Sequence, residues 1–305
     1  MHRAVVDIGT NSTRLLLADV EDGRVVEVLE RRTEITRLGA GVDADGRLSE
    51  EAMERVYKVL DEYAELIERH GADKAVAVLT SAVRDASNGQ EFAAAVRERW
   101  GLEPHVLSGD EEARLTFLGA TSERDVSDRT PTLVIDIGGG STEFVIGTGR
   151  EMDFHVSNQA GVVRQTERHL KSDPPSDEEC EALARDARSI LGDGVPEAWR
   201  RAVGHAIAVA GTATSMASIA QELVPYDPDK VEGYVMSDAE CREIRDRLAG
   251  MTVEERRQVR GLHPDRAPTI VAGTIILLET LTLFGLREFE VSEHDILRGA
   301  ALGLD

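Results

Sequence analysis

The chain has 305 residues, with 35 Lys or Arg against 57 Asp or Glu and a formal charge of −22, which disfavours broad, sequence-independent attraction to nucleic acid. With 41% hydrophobic but only 4% aromatic residues, it reads as a globular protein with aliphatic cores under a charged surface, long enough for two domains. Any polyanionic ligand must therefore be met locally, by metal ion, arginine and backbone N–H groups.

The first strand pattern is Val5-Val6-Asp7-Ile8-Gly9, which turns through Thr10-Asn11-Ser12 into an apolar return strand at 15–18. Ser49 then caps a helix whose apolar positions Met53, Val56, Leu60, Ala64 and Ile67 recur at three- and four-residue spacing. A strand at 75–79, a helix at 90–100, a strand at 104–107 and a helix at 110–121 give the α/β alternation of a mixed or parallel sheet. The polar run 122–131 marks a domain boundary, dividing 1–124 from 125–305.

Beyond it the opening pattern returns. Ile135-Asp136-Ile137-Gly138 with Ser141-Thr142 repeats the first hairpin at a constant offset of 129 residues, with a return strand at 144–146. The repeat implies two similar lobes whose glycine turns face each other across a cleft. Capping boxes at Ser176/Glu179, Ser237/Glu240 and Thr252/Glu255 announce helices. A buried strand at 206–210 delivers Gly211-Thr212-Ala213-Thr214-Ser215 to its end, where a helix begins. A strand at 288–291 precedes a closing helix, 293–305, expected to pack back on the first lobe.

Cys180 and Cys241 belong to no CxxC or Cys/His cluster, so neither a disulfide framework nor a structural zinc site is indicated, and a cytoplasmic location fits. The start of the chain runs directly into a strand pattern, and the apolar run 270–284 is interrupted by Gly273, Thr274 and Glu279, so neither an export signal nor a membrane span is expected. Only four basic residues are lysines; the arginine excess suits bidentate phosphate contacts, and a high-GC genome would produce the same bias.

Three glycine loops each follow a strand, at 7–12, 136–141 and 211–215, and glycine lets backbone N–H groups approach phosphate oxygens. A single one would be an ordinary turn; three in order, two of them copies ending a strand in Asp, point to phosphate binding through Asn11, Ser12, Gly138, Gly139, Gly140, Ser141, Gly211 and Thr212. Asp136, with Glu143 across its hairpin and Asp7 in the first copy, suits Mg²⁺, which takes one or two carboxylates plus waters and phosphates. Turn stabilisation is the alternative for both aspartates, and plain strand exposure for Glu143. Ser108 and Glu111 have capping-box spacing, leaving Glu112 to point into the cleft and accept a proton from water. Arg84 leaves a strand end, where α/β folds bind ligands, as a phosphate clamp.

DIGTNS at 7–12, TSAVRDASN at 80–88, SGDEEARL at 108–115, VIDIGGGSTEFVIG at 134–147, AGTATS at 210–215 and VSEHDILRGAAL at 291–302 together resemble the exopolyphosphatase and guanosine pentaphosphate phosphohydrolase (Ppx/GppA) family. The resemblance implies an α/β fold of two ribonuclease-H-like lobes around a central cleft, as in actin, Hsp70 and sugar kinases. It further implies Glu112 as catalytic base, Asp136 and Glu143 with Mg²⁺, and Asn11, Arg84 and Ser141 holding the end of inorganic polyphosphate or guanosine pentaphosphate, with a homodimer expected. A superfamily kinase and a non-catalytic nucleotide-binding protein are the competing readings. The chain ends just after the second lobe, without the helical domains of longer members, so shorter polyphosphates or low processivity are expected.

Overall fold

β1 (His2–Ile8) and β2 (Ser12–Glu21) form the expected antiparallel hairpin, which extends through β3 (Arg24–Ile35). β4 (Lys74–Leu79) and β5 (Glu103–Val106) add to the other side in parallel, for the order β3-β2-β1-β4-β5. Successive side chains of a strand face opposite ways, and both faces of this sheet are covered. Ala4, Val6, Leu15, Leu17 and Ala77 pack on helices Glu50–His70 and Gly89–Trp100. Val5, Leu16, Val76 and Val78 pack with Leu115 of helix Gly109–Ala120 and with Ile296, Leu297 and Ala300 of the closing helix, Ile296–Gly303. This computed structural model describes residues 1–125 and 127–304; Val126, inside the polar run read as a boundary, and Asp305, the last residue of the expected closing helix, lie outside the described residues.

The strands from β1 to β5, with their helices and the segment starting at Asp295, make one compact unit; Glu123–His294 makes the second. In the second unit β6 (Thr132–Ile137), β7 (Thr142–Thr148) and β8 (Glu151–Asn158) repeat the antiparallel meander. β9 (His205–Val209) pairs parallel with β6, β10 (Tyr234–Ser237) follows, and β11 (Glu288–Val291) pairs parallel with β9, giving β10-β11-β9-β6-β7-β8. Without β10 the order β11-β9-β6-β7-β8 is that of the first sheet read from its other edge. Each unit is thus the expected ribonuclease-H-like α/β layer structure. The second core is aliphatic, with Leu183, Leu191, Ile275 and Leu281 among its fully buried members.

Several local expectations shift. On helix Glu50–His70 the expected Val56 and Leu60 are fully buried together with Ala52 and Tyr63, while Met53 and Ile67 pack against this core partly buried; the Tyr63 hydroxyl donates to the buried Thr13 carbonyl at 3.0 Å. The capping boxes at Ser176 and Thr252 close in both directions, whereas at Ser237 only the hydroxyl caps. Glu240 instead accepts the Tyr234 hydroxyl at 2.8 Å. The closing helix starts at Ile296, not Glu293, since Asp295 is its cap and accepts from the Leu297 N–H at 3.0 Å. No helix among the described residues is long and apolar enough to cross a membrane.

Candidate functional site

In the first unit, β1, β4 and β5 run parallel, so the segments leaving their carboxyl ends emerge on one edge of the sheet. β1 leads into the Gly9–Asn11 turn, β4 into the short helix Ser81–Asp85 that carries Arg84, and β5 into Ser108 and the helix that carries Glu112. Side chains tie the three segments together. The Thr10 and Ser81 hydroxyls lie 2.8 Å apart, and Arg84 Nη1 donates to Glu112 Oε2 at 3.2 Å and to the Leu107 carbonyl at 2.9 Å. The capping box at Ser108 closes through Glu111, whose carboxyl is held below its usual range by the Ser108 N–H and hydroxyl. Glu112, one residue on, is thereby kept for Arg84; both side chains are about one-third exposed, at 28% and 32%.

The turn itself is aimed by its carbonyls. The Gly9 N–H donates to the Ser12 carbonyl at 2.9 Å, while the Thr10 carbonyl accepts from Gly39 and the Asn11 carbonyl from Thr36 and Arg37. A trans peptide points its N–H opposite to its C=O, so the Asn11 N–H turns away from that supporting segment. Asp7, at the end of β1, is only 4% exposed. Its Oδ2 accepts from Arg14 Nε at 2.9 Å and Arg14 Nη2 at 2.6 Å, and Arg14 Nη1 also donates to Asp295. Burial pushes the Asp7 carboxyl above its usual range, with the Arg14 guanidinium opposing.

The second unit repeats the device with changes. Gly138 N–H donates to the Ser141 carbonyl at 2.9 Å, the same turn bond at the same length. Here the support is helix Val162–His169, whose first N–H groups, from Val162, Val163 and Arg164, bond the Gly138 and Gly139 carbonyls. The N–H groups of Gly139 and Gly140 therefore point the other way, as a two-donor anion nest. The close approach depends on Gly161, where a Cβ would overlap the Gly139 carbonyl and the Gly140 backbone. At the base of the nest Asp136 stands directly opposite Glu143 in the β6/β7 register, and Glu143 Oε1 accepts from Ser141 Oγ at 2.7 Å and from Ser157 Oγ at 2.8 Å.

The third glycine segment is not a loop. Helix Ala210–Ala220 begins directly after β9, with Gly211 and Thr212 in its first turn and no side-chain cap, so its leading N–H groups have no partner within the helix. β9 is parallel to β6, so this turn and the 138–141 nest leave the same edge of the sheet. Ala210 sits at φ 60°, a left-handed conformation that costs a non-glycine residue ~1–2 kcal/mol. The Arg266 guanidinium packs so tightly on Gly211 that any Cβ there would overlap it.

The donor set fits a hard cation. Asp136 and Glu143 are hard oxygen donors side by side in the second unit; in the first, Asp7 Oδ1 is buried without a hydrogen-bond partner. Among the described residues no group of three or more His, Cys, Asp and Glu gathers. Two opposed carboxylates fit Mg²⁺, which completes its shell with water and phosphate. Sequence reasoning missed Gly161, Arg266, Ser157 and the link from Arg14 to Asp295. Only Arg14 left a signal there: in the 129-residue repeat it occupies the position of Glu143.

The sequence model of the Ppx/GppA phosphatase family matches residues 16–302. Exopolyphosphatase 2 of Mycobacterium tuberculosis is 38% identical over 313 residues, covering 99% of this chain and 98% of its own. The crystal structure of the Aquifex aeolicus Ppx/GppA family member superposes with a TM-score of 0.87 at 32% identity, covering 99% of this chain and 96% of that one. An exopolyphosphatase from Cytophaga hutchinsonii gives 0.86 at 26% identity, over 99% and 98% of the two chains.

Proposed function

Because the chain belongs to the Ppx/GppA phosphatase family, a family of phosphoanhydride hydrolases, we propose that it is an exopolyphosphatase that releases orthophosphate from the end of inorganic polyphosphate by in-line attack of water. The observation that carries this reading is the nest of Gly139 and Gly140 N–H groups with two opposed carboxylates, Asp136 and Glu143, at its base. Donors for phosphate oxygens beside paired acidic groups suit a phosphate chain accompanied by a divalent cation, and suit neither partner alone.

In this reading the Gly139, Gly140, Gly211 and Thr212 N–H groups bind phosphate oxygens, and Asn11, Ser12, Ser141 and Arg84 orient the chain end. Asp136 and Glu143 would hold Mg²⁺, which supplies charge neutralisation on the leaving phosphate. Glu112 accepts the proton of the attacking water, and its bond to Arg84 fixes the carboxylate's direction. Catalysis is then positioning plus electrostatic stabilisation, as phosphoryl transfer requires. A cytoplasmic homodimer is part of the same proposal.

The test is phosphate release from polyphosphate with Mg²⁺, by wild type and by Glu112→Gln. Loss of activity in a variant that melts like wild type supports the assignment, and unchanged activity removes Glu112 as base. Guanosine pentaphosphate presents the same terminal phosphoanhydride, so kcat/KM on both substrates decides which is preferred.

A further inference from the structure

β3 closes one side of the first sheet, and no strand lies beyond it among the described residues. Its two register shifts against β2 fall at Leu17/Ala18 and Asp19/Val20, so the half from Glu30 to Ile35 pairs with 12–17 without interruption. Just past that half, the Thr36 N–H donates to the Asn11 carbonyl at 3.1 Å. Main-chain groups of an antiparallel strand alternate in direction, so the even-numbered residues turn theirs to β2, and Arg31, Thr33 and Ile35 turn theirs outward. The Arg31 N–H agrees with this phase, since it bonds a neighbouring side chain, Glu30 Oε1, at 3.2 Å and not β2.

An edge with outward main-chain groups accepts another strand, and charged side chains along it ordinarily repel one. Here the order of the charges decides. Two copies of 30–35 laid antiparallel, outward residues facing outward residues, can be centred on Arg31, Arg32, Thr33 or Glu34. Centring on Arg31, Arg32 or Glu34 sets that residue against its own copy, a like-charge pair that destabilises the pairing. Centring on Thr33 sets Arg32 opposite Glu34 twice, Arg31 opposite Ile35 twice and the two threonines together, with no like charges opposed. The side chains that must meet are accessible, Arg32 at 53% and Ile35 at 38%. Beside Arg32 and Glu34 a cavity of about 380 Å³ lies open between β3 and helix Glu50–His70, lined also by Glu62, Glu65 and Arg69, and gives a partner's long charged side chains room.

We propose that β3 pairs with β3 of a second copy of this chain, antiparallel about a two-fold axis at Thr33, and joins the two first-unit sheets into one. The two Thr33 residues, and each Arg31 with the Ile35 opposite, then exchange main-chain hydrogen bonds. This gives the proposed homodimer its interface; it rests on that homodimer and not on the phosphatase chemistry.

The test is sedimentation velocity at micromolar concentration, on full chains without substrate, with melting curves alongside. Wild type is expected to be a dimer. Arg32→Glu alone and Glu34→Arg alone each put two like-charge pairs across the axis, and each is expected to weaken self-association about tenfold or more. In an equal mixture of the two single variants, unlike chains oppose only opposite charges, and the dimer is expected to return. Should a single variant not fold, the double variant Arg32→Glu with Glu34→Arg takes its place. It is expected to self-associate as wild type does and to refuse wild type as a partner, read by fluorescence exchange between labelled chains. Monomeric wild type overturns the inference together with the homodimer. Single variants that associate as wild type does, a mixture that stays monomeric, or a double variant that stays monomeric or mixes freely with wild type each overturn the β3 interface and leave the homodimer to another face. Phosphate release enters none of these readouts, so an inactive wild type rejects the exopolyphosphatase reading alone.

Discussion

Asp136 stands directly opposite Glu143 across β6 and β7, while the equivalent positions of the first hairpin hold Asp7 and Arg14, bonded to each other. Like charges facing across an antiparallel pair cost on the order of 0.2–1 kcal/mol, so the second hairpin gains from a cation in a way the first does not. Glu143→Gln should therefore melt no lower than wild type without metal, gain less from added Mg²⁺, and lose roughly 100-fold in phosphate release. Calorimetric melts with and without Mg²⁺ check this; an undiminished Mg²⁺ response in the variant would contradict it.

Gly161 is the contact on which the nest leans. In Gly161→Ala the new methyl must displace either helix Val162–His169 or the Gly139–Gly140 backbone. Overpacking of this kind costs about 1–3 kcal/mol, and here it also swings the nest donors off their line. The expected outcome is a lower denaturant midpoint together with a raised KM for polyphosphate, measured on the same preparation. A loss of stability with KM unchanged would mean the helix moved and the nest did not.

Ala210 offers the opposite sign. Glycine at φ 60° is free of the ~1–2 kcal/mol left-handed penalty but makes the unfolded chain about 0.4–1 kcal/mol more favourable, so Ala210→Gly is expected to be neutral or up to about 1.6 kcal/mol more stable. Urea unfolding gives the answer directly, and clear destabilisation would show that the strain has been misassigned.

Glu179 supplies a pH dependence. The Ser172 hydroxyl, then the Ser176, Lys171 and Ser172 N–H groups, hold its carboxyl down to about 2. A carboxyl depressed in the folded state contributes stability that is fully present above its ordinary value of 4.5 and is lost as pH falls from there toward about 2. Wild type should therefore lose more melting temperature than Glu179→Gln over that window, and the two should run parallel at neutral pH. Parallel curves through the acid range would remove Glu179 as a contributor.

Much of this was legible in the residues, for stated reasons. The hairpins, β11 and the capped helix at Ser108 carry strong local signals: apolar, largely β-branched strands that end in Asp-x-Gly, an alternation of acidic and apolar residues in β11, and a cap three residues before a Glu. β3 escaped because it lies at a sheet edge with an exposed pattern, and the register of its pairing with β2 shifts twice, at Leu17/Ala18 and Asp19/Val20, so no clean period remained to read. The glycine segment at 211 looked like a loop because Gly, Thr and Ser favour turns, yet the buried contacts of Ala213, Met216 and Ala217 favour helix. Within the candidate site, single residues were readable by type and spacing. The bond from Arg84 to Glu112 and the clamp of Arg14 between Asp7 and Asp295 join residues 28 and 281 apart, and no local pattern records such a pairing.

The return of Ile296, Leu297 and Ala300 to the first sheet has a bearing on biosynthesis. Until residues 296–300 have been translated and have cleared the ribosome, the face formed by Val5, Leu16, Val76 and Val78 lacks part of its apolar cover. The first-made half of the protein is consequently among the last to mature, and it must wait as an incompletely sealed sheet, the kind of surface that chaperones recognise.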